Sequence, residues 1–209
     1  MALQGALMWI CSLAVLSSCA DQDESLQCGY QHLTSNLKAV GECEDSLPWS
    51  SQERAGLLLN LRNLMDKLYT LQLRECQGAE PNKCPQAEVP EDGGLLCTTV
   101  SNKRYCKPMC NHGHDFSFLR RSRVYEECSE QTGFKWQSQF FGGNKLAVCN
   151  KAKIQVSGAA SAYFSEDQDC LTIKSNSSLI QSAIMGAFGS ELRGAGVQGD
   201  AENSCLLCG

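Results

Sequence analysis

The chain has 209 residues, a net charge of −5 and a mean hydropathy of −0.25, which allows one domain or several small ones and places most of it outside a bilayer. Fourteen cysteines, two inside an N-terminal apolar leader and 12 beyond it, argue against a reducing compartment and for a disulfide-stapled protein. The acidic balance and the want of a Gly-Lys-Ser/Thr loop or dinucleotide fingerprint set aside nucleotide chemistry, and no nucleic acid partner is expected.

Ala6 to Leu16 form an apolar run too short to span a bilayer. Ser18-Cys19-Ala20 then gives way to Asp21-Gln22-Asp23-Glu24, the layout of a signal peptide (residues 1–20) cleaved after Ala20. No later stretch is long enough for a membrane span. A single sequon at Asn176-Ser177-Ser178 suits a glycoprotein on the secretory route. The expected product is secreted, soluble and extracellular.

Residues 21–80 read as a helical hairpin. Leu26, Tyr30, Leu33, Leu37 and Val40 alternate steps of four and three, as do Leu57, Leu61, Leu64, Leu68 and Leu71, so each set lies on one stripe of a helix. Pro48-Trp49-Ser50 separates them, and Ser50 with Glu53 forms a capping box for the second helix. The two stripes would bury against each other; a coiled-coil seam is the alternative.

From Cys84 to Cys149 the texture changes to short runs with Gly, Pro and aromatics. Cys84-Pro85, Val89-Pro90 and Gly93, then Cys110-Asn111-His112-Gly113-His114, then Cys128, Gly133, Trp136 and Cys149 resemble a sushi (complement control protein) module. That resemblance implies a small β module with Cys84–Cys128 and Cys110–Cys149 bridges and Trp136 as core tryptophan between them. Cys97 and Cys106 are additional to the family pattern and suit a local third bridge. Trp136 lies further past Cys128 than the family spacing, and no proline precedes Cys149.

Residues 150–209 form a mixed strand and helix segment. Ile154 and Val156 alternate with polar residues and predict a short strand. Ser178 and Gln181 would cap a helix with Leu179, Ile180, Ala183, Ile184, Ala187 and Phe188 on a broad apolar face. Gly194 to Gly199 reads as an exposed loop leading to Cys205 and Cys208. The fold class is therefore α+β, built of small disulfide-rich modules. The partners of Cys28, Cys43, Cys76, Cys170, Cys205 and Cys208 are open, because their spacing carries no signature.

Charge is unevenly placed. Residues 21–96 balance to −7, residues 97–153 to +6 and residues 154–209 to −4. Lys103, Arg104, Lys107, Arg120, Arg121 and Arg123 cluster in the basic stretch, and arginine forks match sulfate and phosphate geometry. They are the candidate binding face, for a sulfated glycosaminoglycan of the heparin type or an acidic protein surface. Alternatively they dock on the acidic flanks of the same chain, or form a solvated surface. Arg120-Arg121-Ser122-Arg123 also fits a minimal basic-protease site.

Candidate chemistry is thin. His112 and His114 with Cys106, Cys110 and Asp115 could be drawn as a zinc site, but bridged sulfurs supply no thiolate. Cys205-Leu206-Leu207-Cys208 has redox spacing without the strand and helix that activate such a motif. The expectation is thus a non-catalytic recognition protein with no cofactor and no metal. A secreted thiol or metal enzyme, and a helical signalling protein acting through its N-terminal hairpin, are the alternatives. The oligomeric state is open.

Overall fold

The computed structural model describes residues 29–42, 49–138, 141–176 and 178–209. The leader, Leu26, Cys28 and Cys43 lie outside the described residues. The chain divides into two units at Arg62, Met1–Arg62 and Asn63–Gly209.

Both predicted N-terminal helices form. Helix α1 spans Tyr30–Glu42 and α2 spans Ser51–Leu73, and neither contains a buried residue. Of the α2 stripe, Leu57, Leu61 and Leu64 are half-buried, whereas Leu68 and Leu71 are exposed. The capping box is present. Ser50 N–H and its hydroxyl donate to Glu53 Oε2 at 2.7 and 2.8 Å, and Glu53 N–H donates to Ser50 Oγ at 3.2 Å. These bonds to Ser50, the backbone one foremost, lower the Glu53 carboxyl below its ordinary pKa.

At the end of α2 a 3-10 turn over Arg74–Cys76 delivers Cys76 to the sheet. That sheet is antiparallel and has four strands. Strands β1 (Gly93–Val100) and β2 (Lys103–Cys110) form a hairpin through Ser101 and Asn102, whose φ angles of 49° and 58° suit a two-residue turn matching the strand twist. Strand β4 (Glu126–Cys128) flanks β2, and β6 (Ala201–Cys208) flanks β1. A second, two-stranded sheet pairs β3 (His114–Phe116) with β5 (Cys149–Lys151).

Strand β1 is buried along its whole length because both faces of the sheet are covered. Successive side chains alternate sides. Leu96, Val100, Tyr105, Met109, Leu206 and Cys208 join Ile173 of α3 (Cys170–Asn176) and Phe188 and Leu192 of α4 (Ser178–Gly194). Leu95, Cys97, Cys106, Cys205 and Leu207 face the other way and pack with Trp136, Leu146 and Val89. Only Gly fits at position 94: a Cβ there would stand 2.5 Å from Cys170 Sγ.

Helix α4 is as predicted in place but buries a narrower face. Phe188 and Leu192 are buried and Ile180 and Ile184 partly so, whereas Leu179 is 80% exposed and Ala183 and Ala187 point outward. The helix stops where Gly196 adopts φ 87° and Val197 N–H reaches back to Leu192 carbonyl, a Schellman ending.

The strand expected at Ile154 and Val156 does not form, and both side chains are exposed, 70% and 55%. The cause is Asp115. Its carboxylate accepts the backbone N–H groups of Val156 and Ser157 and the Ser157 hydroxyl, drawing those groups away from any ladder. The Tyr163 hydroxyl and the Phe116 N–H donate to the same carboxylate. Burial alone would raise the Asp115 pKa, but these donors outweigh it and hold it low.

Five disulfides brace the second unit: Cys76–Cys205, Cys84–Cys128, Cys97–Cys106, Cys110–Cys149 and Cys170–Cys208. The second and fourth are the pairs that the sushi resemblance implies, and the third is the local bridge between the two extra cysteines. Trp136 packs in one cluster with Cys128 and the half-buried Cys84, whereas Cys110 and Cys149 belong to another. Strand β6 comes from outside residues 84–149 and pairs with β1 at one edge of the sheet. Among the described residues no helix is long and apolar enough to cross a membrane.

Candidate functional site

The six basic residues picked out in the sequence do not share a surface. Strand β2 alternates Arg104 and Lys107 to opposite faces of the sheet, and each is buried there. Lys107, 2% exposed, lies under α4 and donates to Glu191 Oε2 at 2.6 Å. Arg120 is also buried, donating to the Leu146 carbonyl at 2.9 Å with Glu126 at 3.6 Å. Arg123 pairs with Glu126 at 2.5 Å, and Lys103 with Glu127 at 3.5 Å. Arg121 alone of the six is exposed. Three of the six are therefore internal, and Lys103, Lys107, Arg120 and Arg123 are matched to carboxylates of the same chain.

The Arg120–Glu126–Arg123 group is a buried ion cluster. Burial raises the Glu126 carboxyl, with Arg123 and Arg120 opposing, and burial lowers Arg120. It also closes the basic-protease site, since Arg120 is packed inside and Arg123 is held by Glu126 and the Gln137 carbonyl.

The other candidates are absorbed by structure. Cys106 and Cys110 are bridged, and Asp115 is committed to its loop. His112 lies 3.8 Å from Glu166 and His114 lies 3.5 Å from Asp92. Among the described residues no group of three or more metal-type ligands converges. Cys205 and Cys208 are bonded to Cys76 and Cys170 rather than to each other. Asn176 is exposed at the end of α3.

The feature that sequence reasoning missed is a cleft of about 200 Å³ on the Trp136 side of the sheet. Its floor is β1 and β2, through Leu95, Cys97, Arg104 and Cys106, and its wall is Trp136. Residues Gln77, Ala79, Asn82 and Gln86, between the end of α2 and β1, form its rim. Cysteines of three bridges, Cys76, Cys84, Cys97 and Cys106, line it, so its shape is covalently held. The Trp136 indole N–H donates to the Pro85 carbonyl at 2.8 Å, which fixes the ring.

Arg104 is the charged group of this cleft. The register between β1 and β6 shifts between Cys97 and Thr99, and Asn203 opposite adopts φ 47°. A bulge leaves ladder groups without a strand partner. Arg104 Nη1 takes up that role, donating to the Asn203 carbonyl at 2.7 Å and to Thr99 Oγ1 at 3.2 Å, while Nη2 reaches Cys205 Sγ at 3.2 Å. Every acceptor is neutral, and burial pushes the guanidinium pKa down to about 10. Strand alternation between Cys97 and Cys106 is the one sequence signal that could have placed Arg104 beside the bridges and Trp136.

Compared with known proteins, the chain matches no family model, no curated protein and no solved structure.

Proposed function

We propose that this chain is a secreted, non-catalytic recognition protein that binds an acidic segment of an extracellular polypeptide. The observation that carries the reading is the chemistry of the cleft: a permanent cation, an indole and three carboxamides around oxidised sulfurs. Such groups hold a ligand; none is a proton shuttle or a nucleophile at neutral pH. Five bridges in one unit favour an oxidising address, in line with the leader expected at residues 1–20. Attachment of a glycan at Asn176 belongs to the same reading, and the two implied bridges support a sushi-like ancestry for residues 84–149.

A heparin-type polyanion is the weaker ligand class. Sulfated chains are read by rows of accessible cations, and here Arg104, Lys107 and Arg120 are buried and Lys103 and Arg123 are paired. The test uses full-length protein secreted by a eukaryotic host, first by intact mass with alkylation before reduction, then on an array of purified extracellular domains beside a heparin column. Loss of residues 1–20, unreactive bridged cysteines and saturable capture by an acidic domain are expected. Salt-steep heparin retention without any domain capture would overturn the ligand class.

A second reading has its own observation. Leu58, Leu59, Met65, Leu68 and Leu71 of α2 are all exposed, which suits a helical signalling element that contacts a receptor. Loss of domain capture in a Leu58→Glu/Leu59→Glu variant, with the cleft intact, would favour it.

A further inference from the structure

We infer that the Trp136 cleft is a carboxylate-recognition pocket that takes one acidic side chain or one chain-terminal carboxylate of a partner polypeptide. The inference rests on the recognition reading above and names the group that is recognised.

The argument starts from an imbalance of charge. Lys103, Lys107, Arg120, Arg123 and Lys174 each pair with a carboxylate of this chain. Among the buried cations Arg104, Lys107 and Arg120, it is Arg104, only 6% exposed, that pairs with no carboxylate of the described residues. A buried cation without a counter-charge is strongly unfavourable, and an incoming anion relieves that cost at the moment of binding. Arg104 is also the charged residue in the lining of a cleft, so the anion has a way in.

Geometry then narrows the anion. A guanidinium carries five N–H donors, and the bonds to Thr99, Asn203 and Cys205 use both Nη1 hydrogens and one on Nη2. Nε–H and the second Nη2–H remain for a ligand. The Nη1 bonds to the bulge hold the plane of the fork from behind, so little freedom is lost on binding. The cleft volume of about 200 Å³ lies below that of sites for drug-sized molecules and has room for one side chain or chain end. Trp136 offers the methylenes of that chain an apolar wall, and the amides of Gln77, Asn82 and Gln86 rim the mouth. A single recessed cation with one aromatic wall reads one carboxylate, not a row of sulfates.

The test follows the Arg104 guanidinium Nε–H and the Trp136 indole N–H by NMR in the full-length, oxidised, 15N-labelled protein. Four probes are titrated: N-acetyl-glutamate amide, N-acetyl-glutamine amide, N-acetyl-dialanine with a free carboxyl terminus, and a sulfated heparin disaccharide. Saturable shifts of both signals are expected with a carboxylate probe, half-complete at about 1–10 mM for so small a ligand, and none with the glutamine amide. The tighter of the two carboxylate probes tells a side chain from a chain end. Equal shifts with the glutamine amide, shifts with the disaccharide alone, or none at all overturn the inference.

Arg104→Gln removes the charge but also disturbs the bulge, so Ala79→Phe serves as the second variant. It fills the cleft and leaves every Arg104 hydrogen bond in place. Unchanged melting with the carboxylate shift reduced at least tenfold is expected; a retained shift would place the anion elsewhere. Failure here with undiminished capture on the domain array would remove the pocket and leave the recognition reading standing.

Discussion

Glu191→Gln tests the packing of α4 on the sheet through a single charge. Lys107 projects from β2 under α4, with Nζ 2.6 Å from Glu191 Oε2 and 6.0 Å from the centre of the Phe188 ring. At that distance and an effective dielectric near 20, the Coulomb attraction has a ceiling of about 6 kcal/mol. Removing one partner of a buried pair costs about 3–5 kcal/mol in practice, because the other charge stays desolvated. Glu191 is a quarter exposed and glutamine keeps an acceptor, so about 2–3 kcal/mol is expected. For a unit of this size that lowers Tm by about 4–12 °C. Calorimetry of the oxidised protein reads it directly.

The pH dependence supplies a second readout. Burial lowers the Lys107 pKa, with Glu191 opposing. A base with a depressed folded pKa binds fewer protons folded than unfolded, so stability climbs as pH rises from the folded value toward about 10.4. Glu191→Gln removes the opposing group, so the climb should begin at lower pH and be larger. Replacing the pair together, Lys107→Met with Glu191→Leu, should be near neutral or stabilising. A single-variant loss under about 2 °C with an unchanged pH profile would refute the desolvated pair and the seating of α4 that it represents.

Among the bridges, loss should scale with the loop closed. Cys76→Ala/Cys205→Ala opens a separation of 129 residues, worth about 5 kcal/mol in the chain-entropy account, against about 3 kcal/mol for the separation of 9 in Cys97→Ala/Cys106→Ala; denaturant unfolding should rank them so. Gly94→Ala should cost about 1–3 kcal/mol, since its Cβ meets Cys170 Sγ at 2.5 Å and the Leu207 carbonyl at 3.1 Å, with slower oxidative refolding as the visible sign. Asp115→Asn should cost about 2–3 kcal/mol and free the 154–158 loop to hydrogen exchange. Because the Asp115 pKa is depressed in the fold, its contribution is present above the unfolded carboxylate pKa and is lost as pH falls through the folded value. Glu53→Ala should reduce the helical circular dichroism signal of α2 at neutral pH and have little effect once acid protonates Glu53 in the parent.

Local physics was legible in the chain. The four- and three-residue steps placed both N-terminal helices, Ser50 and Glu53 announced their mutual bonds, and the apolar run after Ser178 located α4. These features depend on neighbours a few residues apart, and a sequence displays such neighbours directly. Cysteine number likewise announced a covalently braced protein, because so dense a set of cysteines is the mark of a disulfide framework.

What tertiary structure alone decided involves residues far apart. Ile154 and Val156 lost their strand to the carboxylate of Asp115, some 40 positions earlier. The basic cluster was read as a face because its charges are adjacent in sequence, yet strand alternation sent Arg104 and Lys107 through opposite sides of one sheet. Cys205 and Cys208 look like a couple and are not, since β6 presents them to opposite faces, where Cys76 and Cys170 wait. Arg104 is held beside the cleft because β6 returns to lie against β1. The register shift of β6 calls for a donor at the bulge, and Arg104 meets that need with no carboxylate paired to it among the described residues. Long-range pairing is a three-dimensional event that no local pattern encodes, and it made the difference between a basic surface and a single recessed guanidinium.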